Sequence, residues 1–297
     1  MSTEKKFHSG MVTIIGLPNV GKSTLMNYFL GEKISITSSK PQTTRSRLMG
    51  IVTHDNHQLI FLDTPGVHKP RTKLGEYMMK SVRDAMEGTD VILMMVDVTH
   101  CTDKDTEIAE KLRQNKKIPI VLAVNKIDMA QPEGVLSTIA RFSSYDFSGI
   151  VPVSAQTGEG MEDLLQCLES QLPEGPLYFP EDMITDQPER VLCAEMIREK
   201  ALAHLRDEVP HGIGVEIVRI EKVREDLTEI NATIYCEREA HKGMIIGKQG
   251  TMLRTIGSEA RNDIEKLMDT HVLLKLWVKT KPDWRNSSAE LKNLGYE

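Results

Sequence analysis

Short, continuous apolar runs alternate with helix-period segments through the first half of the chain. The runs at 10–15, 48–54, 57–62, 90–96, 118–124 and 149–153 are rich in β-branched and other apolar residues and too short for buried helices, so they predict strands. Helical spacing of apolar residues fills the gaps near 22–31, 74–87, 103–114, 132–142 and 160–170. Alternation of this kind predicts an α/β fold: a mostly parallel sheet, covered on both faces, with ligands bound at the carboxyl ends of its strands.

The texture changes at Leu172-Pro-Glu-Gly-Pro-Leu-Tyr-Phe-Pro180, where three prolines and a glycine in nine residues predict a connecting segment. Its Leu177, Tyr178 and Phe179 predict that it lies against a surface. Beyond it, Val191, Leu192, Ala194, Ile197, Ala201 and Leu205 recur at helix spacing over 188–207. Strand patterns follow at 213–222 and 228–237, then a short helix at 240–246, a longer one at 250–269 and a strand at 271–280. The order α-β-β-α-α-β predicts an independent α+β domain. The expected division is therefore a first domain over 1–172, a connecting segment over 173–187 and a second domain over 188–297 that ends in a helix.

Composition narrows the function classes. A chain of 297 residues exceeds one typical core, in keeping with two domains. A net charge of −6 means that any surface for nucleic acid must be local. The four cysteines, Cys101, Cys167, Cys193 and Cys236, lie far apart, which fits a reduced cytoplasmic chain better than a disulfide framework or a zinc site. The polar N-terminus lacks a signal core, and the longest apolar run, Val91 to Val96, is far short of the roughly 20 residues of a spanning helix. An integral membrane protein is not expected.

Candidate chemistry sits where the strands end. Gly16-Leu-Pro-Asn-Val-Gly21-Lys22-Ser23 follows an apolar run and opens a helix. In that context, G-x-x-x-x-G-K-S is a phosphate cradle: backbone N–H groups and the helix N-terminus surround the phosphates. Lys22 would reach the β and γ phosphates, and Ser23 would hold Mg²⁺. Asp63-Thr-Pro-Gly66 ends the strand at 57–62, so that the carboxylate reaches Mg²⁺ and the Gly66 N–H meets the γ phosphate. Asn125-Lys126-Ile-Asp128 closes the next strand but one. There an aspartate can accept from guanine N1–H and its exocyclic amine, a pairing that adenine leaves unmade. Ser154-Ala155-Gln156 ends a further strand and offers the Ala155 N–H to guanine O6.

These four motifs, in this order, resemble those of the translation-factor-like class of P-loop GTPases over about residues 8–170. The resemblance implies base-reading roles for Asn125, Lys126, Asp128, Ser154 and Ala155, and phosphate roles for Asn19, Val20, Gly21, Lys22, Ser23, Thr24 and Gly66. It also makes Gln42-Thr43-Thr44-Arg45 the effector loop, with Thr44 on Mg²⁺ and sensing the γ phosphate, and Thr43 as the rival threading. The catalytic set expected is Lys22, Thr44 and Gly66. Val67 stands where Ras-like proteins carry a water-orienting glutamine, so slow intrinsic hydrolysis is expected. Asn19 is the candidate to hold a K⁺ ion against the phosphates, with loop stabilisation as its alternative. Gly31 to Arg47 and His68 to Lys73 are the expected switch loops.

In the second domain, Ile245-Ile246-Gly247-Lys248-Gln249-Gly250 resembles the G-x-x-G signature of KH domains, and the element order that of the type II form. Glycines there let a sugar-phosphate chain approach the backbone closely. Residues 181–297 carry 18 Lys and Arg against 22 Asp and Glu, yet Ala240 to Ser258 holds Lys242, Lys248 and Arg254 and no acid. Lys275, Lys279, Lys281 and Arg285 add to this footprint, with Asp283 opposing. The expected RNA contacts are Lys242, Ile246, Gly247, Lys248, Gln249, Gly250 and Arg254. Trp284 is expected to pack the last helix onto the domain, with base stacking the alternative. One phosphate loop followed by a KH domain resembles the Era family of bacterial ribosome-assembly GTPases, and the single loop excludes assembly factors with two GTPase domains. That resemblance implies a monomeric GTP/GDP switch that binds the 3′ end of small-subunit (16S) ribosomal RNA and assists 30S assembly. It also implies peripheral contact with the inner face of the membrane, for which the residues give no independent sign. A constitutive single-stranded RNA-binding module with a structural nucleotide is the alternative.

Overall fold

A computed structural model describes residues 6–38, 40, 43–67, 70–114, 117–206 and 208–296. Gln42 and His68, expected in the effector and switch loops, lie outside the described residues. The chain divides into two compact units. One comprises Met1–Ser35, Thr44–His68 and Met79–Asp186; the other comprises Ile36–Thr43, Lys69–Met78 and Gln187–Glu297.

The first unit is a six-stranded sheet in the order β2-β3-β1-β4-β5-β6. Its strands are β1 (His8–Ile15), β2 (Leu48–His54), β3 (His57–Asp63), β4 (Val91–Asp97), β5 (Ile120–Asn125) and β6 (Gly149–Val153). All neighbours are parallel except β2 and β3, which form an antiparallel hairpin. The helices α1 (Lys22–Leu30), α2 (Lys73–Met86), α3 (Asp103–Arg113), α4 (Pro132–Phe142) and α5 (Met161–Glu169) connect the strands. Every residue of β4 is buried, as expected of a central strand covered on both faces. β5 starts at Ile120, two residues later than the apolar run suggests, because Pro119 has no N–H to give a ladder.

Residues 173–186 belong to this unit and do not dangle. The buried Gln58 side chain donates to the Phe179 carbonyl (2.8 Å) and accepts from the N–H groups of Tyr178 (2.9 Å) and Phe179 (3.0 Å). Phe179 and Met183 pack on Met49, Ile51 and Ile60, while Leu177 and Tyr178, expected to lie against the surface, are exposed. Farther along, the Ile51 N–H donates to the Ile184 carbonyl (2.9 Å) and the Thr185 hydroxyl to that of Met49 (2.7 Å).

The second unit is built on a three-stranded sheet, β7 (Gly214–Arg224), β8 (Leu227–Cys236) and β9 (His271–Thr280), with β8 antiparallel to β7 and parallel to β9. Its helices are α6 (Glu189–His204), α7 (Glu239–Ile246), α8 (Thr251–Met268) and α9 (Ser288–Asn293). α8 buries Ile256, Ala260 and Ile264, one residue per turn, against a core shared with Ile230, Ala232 and Ile234 of β8 and Met196 and Ile197 of α6. Trp284 is fully buried, and its indole N–H donates to the Gly212 carbonyl (2.9 Å), so it packs and does not stack bases.

Candidate functional site

At the carboxyl end of β1 the chain turns through Gly16 to Gly21 into α1. Gly21 takes φ +104°, and a Cβ there would come within 2.2 Å of the Asn125 amide nitrogen, so only glycine serves. Lys22 is buried, and its ammonium donates back to the carbonyls of Gly16 (3.1 Å) and Leu17 (3.0 Å). Burial pushes it down to about 8, against a weaker upward pull from Asp63.

Asp63, fully buried at the end of β3, collects three hydroxyls on one oxygen. Ser23 donates to it at 2.8 Å, Ser35 at 2.9 Å and Thr44 at 3.5 Å, and the Ser23 and Thr44 hydroxyl oxygens are 3.2 Å apart. The other oxygen, Oδ1, is buried without a hydrogen-bond partner among the described residues. Burial raises this carboxyl, with Lys22 and the three hydroxyls pulling the other way. A carboxylate oxygen left over beside two hydroxyls fits a hard divalent cation such as Mg²⁺, which takes oxygen ligands. Likewise, a buried ammonium with no carboxylate in contact among the described residues fits a phosphate. Thr44, not Thr43, is brought to this cluster: the Thr43 hydroxyl donates instead to the Lys40 carbonyl (2.7 Å). Gly66 lies so near Pro18 that a Cβ would be 2.8 Å from its backbone, which sets the Gly66 backbone against the phosphate loop. Asn19 is exposed, with φ +65°, at the rim of that loop. Val67 is held at the loop base by a bond from its N–H to the Gly16 carbonyl (3.2 Å).

The Asn125 side chain bonds on both sides of the site. Its amide nitrogen donates to the Val20 carbonyl (2.7 Å), and its oxygen accepts from the Ala155 N–H (3.0 Å). It is a staple between the phosphate loop and the Ser154–Ala155 turn, and it engages the N–H that the motif assigns to guanine O6. Lys126 takes a left-handed backbone (φ +68°) and pairs with Asp97 (2.5 Å). Asp128 is exposed just beyond it, Ser154 is buried with its hydroxyl accepting from the Thr157 N–H (3.1 Å), and Gln156 is exposed.

In the second unit, Gly247 (φ +73°), Gln249 (φ +53°) and Gly250 (φ +77°) form a left-handed loop between α7 and α8. A Cβ on Gly247 would meet that of Met252 at 2.6 Å. No side chain caps α8 and its first turn holds no acid, so its positive end is open to an anion. Beside it a groove of about 420 Å³ runs between α8 and β9, with Leu253, Gly257, Leu274 and Leu276 as apolar lining and Arg254 and Arg261 as cations. The cationic footprint is smaller than the sequence suggests. Lys242 pairs with Glu239 (3.1 Å), Lys275 with Glu229 (2.9 Å), Lys281 with Glu290 and Arg285 with Glu237. Lys248, Arg254 and Lys279 make no ion pair among the described residues. Ile246 borders the loop half-buried.

Two family models match the chain: that of the 50S ribosome-binding GTPases over residues 11–126, and that of the KH domain over 208–285. The GTPase Era proteins of Ruminiclostridium cellulolyticum and Clostridioides difficile are each 50% identical over 98% of this chain, and over 98% and 99% of their own. The chain belongs to the Era family of GTPases. Among solved structures, Era in complex with MgGDPNP and nucleotides 1506–1542 of 16S ribosomal RNA is 41% identical, with a TM-score of 0.93 over 98% of this chain and 99% of its own. An Aquifex aeolicus Era variant bound to GDP and AlF₄⁻ is 40% identical, also with a TM-score of 0.93. Membership of the Era family makes the chain a GTPase, turning GTP and water into GDP and phosphate, and gives it a KH domain for RNA.

Sequence reasoning missed several residues of this Era-family site. Ser35 donates to Asp63, and Asn27 fixes Ser35 by accepting its N–H (2.8 Å) and donating to its carbonyl (2.6 Å). Asp97 anchors Lys126. Leu253, Arg261, Leu274 and Leu276 line the groove. None stands in a motif; only proximity in the fold brings them in.

Proposed function

We propose that the chain is a guanine-nucleotide switch whose phosphate state governs its hold on the 3′ end of small-subunit ribosomal RNA during 30S assembly. The observation that carries this reading is the convergence of Lys22, Ser23, Thr44 and the half-satisfied Asp63 at the carboxyl end of the parallel sheet. Ser23 and Thr44 would bind Mg²⁺ directly, with Asp63 as the carboxylate beside it, and the ion would neutralise charge on the β and γ phosphates. Lys22 turns from the carbonyls of Gly16 and Leu17 to those phosphates, and the Gly66 N–H meets the γ phosphate. Gly16, Val20, Gly21 and Thr24 complete the cradle. Asp128 reads guanine, Lys126 flanks its ring, and Asn125, Ser154, Ala155 and Gln156 shape the base pocket. Because the Val67 side chain offers no hydrogen-bonding group to water, preorganised charge and not a side-chain base at this position carries hydrolysis.

Asn19 would help hold a K⁺ ion beside the phosphates; equal turnover in KCl and NaCl would remove this part. Lys248 and Arg254 hold RNA phosphates at the Gly247–Gly250 loop, with Lys242, Ile246 and Gln249 beside them. The relative in complex with a 16S ribosomal RNA segment supports this choice of partner. The chain would work as a cytoplasmic monomer. No helix among the described residues is long and apolar enough to cross a membrane, so contact with its inner face would be peripheral. The deciding experiment is RNA crosslinking in GTP analogue and in GDP, read at nucleotide resolution alongside GTP and ATP calorimetry. Crosslinks at Lys248 with GTP-selective binding are expected; equal ATP and GTP affinity would overturn the proposal.

A further inference from the structure

α6 carries two adjacent charged residues, Arg198 and Glu199, that are both buried on a helix otherwise packed by apolar residues. Burying such groups is costly unless each is paired. Both also reach residues of 36–43, the part of the expected switch loop that groups with the same compact unit. The Glu199 carboxylate accepts from the Thr37 N–H (2.8 Å) and from its hydroxyl (3.2 Å). Arg198, neutralised by Glu195, donates to the Thr43 carbonyl. α6 thus grips the segment at two points, and the residue after Thr43 is Thr44, whose hydroxyl stands 3.2 Å from that of Ser23. Consecutive Cα atoms are about 3.8 Å apart, so where α6 holds Thr43 limits where Thr44 can stand.

The same carboxylate has a third partner. Lys200 bonds to Glu199 (3.2 Å) and to Asp263 of α8 (2.6 Å), and His204 meets Glu259 of that helix (2.8 Å). α8 starts at the Gly247–Gly250 loop and is one continuous helix of 18 residues, a rigid rod between the loop and Asp263. We infer that Glu199 is a positioning residue for hydrolysis, and that the chain Asp263–Lys200–Glu199–Thr37 is the element through which RNA at the loop and nucleotide at the cluster influence each other. This inference rests on the proposed reading of both sites. The coupling is reciprocal by thermodynamic necessity: whatever the relay does to RNA affinity when GTP replaces GDP, RNA does to nucleotide affinity.

The test uses the full chain and a synthetic RNA of 16S nucleotides 1506–1542, the segment held by the solved relative. RNA affinity with GDP and with a non-hydrolysable GTP analogue gives a ratio for the unmodified protein and for Glu199→Gln, Lys200→Met, Thr37→Val and the control Glu259→Gln. Coupling of this kind is typically about 5–150-fold. In Glu199→Gln and Lys200→Met the ratio is expected to fall to about one, and in Glu199→Gln kcat drops about tenfold while KM for GTP, GDP affinity and GDP-state RNA affinity hold within about twofold. Glu259→Gln should retain the ratio. Thr37→Val removes one hydroxyl from the loop side and leaves α6 whole, so it decides the matter if Glu199→Gln does not fold. An unchanged ratio in Thr37→Val and Lys200→Met overturns the relay alone. A ratio of one in the unmodified protein overturns the switch reading, and the relay with it.

Discussion

Single residues decide the specificity and the stability of the nucleotide side. On the proposed reading the Asp128 carboxylate meets two donors on guanine, so Asp128→Asn should cost GTP affinity at least about a hundredfold and favour xanthosine triphosphate, whose ring presents an acceptor there instead. Competitive binding of the two nucleotides measures this. Asp97 is a second case. Burial would raise its carboxyl, but hydrogen bonds from Lys126 and Thr99 outweigh it and leave it below the usual range. The stabilisation is therefore complete above the unfolded value and lost as pH falls through the lower folded value. Asp97→Asn is expected to lose roughly 2 kcal/mol at pH 7, and the gap between the two urea midpoints should close in strongly acid buffer. The convergence of Lys22, Ser23 and Asp63 at one strand end was legible from spacing alone. Ser35, Asn27 and Asp97 were not, because a lone Ser, Asn or Asp carries no pattern until a fold brings its partner near.

Elements were more legible than contacts. Strands and helices follow hydrophobic period, and β2, β6, α4 and β9 have the boundaries that the pattern gives. Period does not give direction, so the antiparallel β2 was hidden inside a mostly parallel expectation. Nor does it show that Glu229, Glu237 and Glu290 sit against Lys275, Arg285 and Lys281, which removes most of the expected basic patch. The remaining cations on α8 and its loop give a sharp test. Lys248→Ala and Arg254→Ala should each weaken binding of any single-stranded RNA and lower the slope of log affinity against log salt by about 0.7. A matched loss at Lys275→Ala would contradict this assignment, because that ammonium is already paired.

At the scale of the molecule, the chain passes between its two compact units more than once: 36–43 and 69–78, both in the N-terminal half, group with the C-terminal unit. Sequence order alone suggests two beads on a string, which is why the relay through Glu199 left no trace in any motif. The tail of the first unit has a consequence of its own. β2 is the outer strand of its sheet, and Ile184 and Thr185 occupy backbone groups that would otherwise be unpaired along that edge. A fragment cut after Leu172 would present bare strand, with Met49 and Ile51 stripped of cover, to any neighbouring copy. Such a fragment should clump in light scattering, whereas one ending at Asp186 should stay monodisperse, so the excisable enzyme finishes where its own edge guard does.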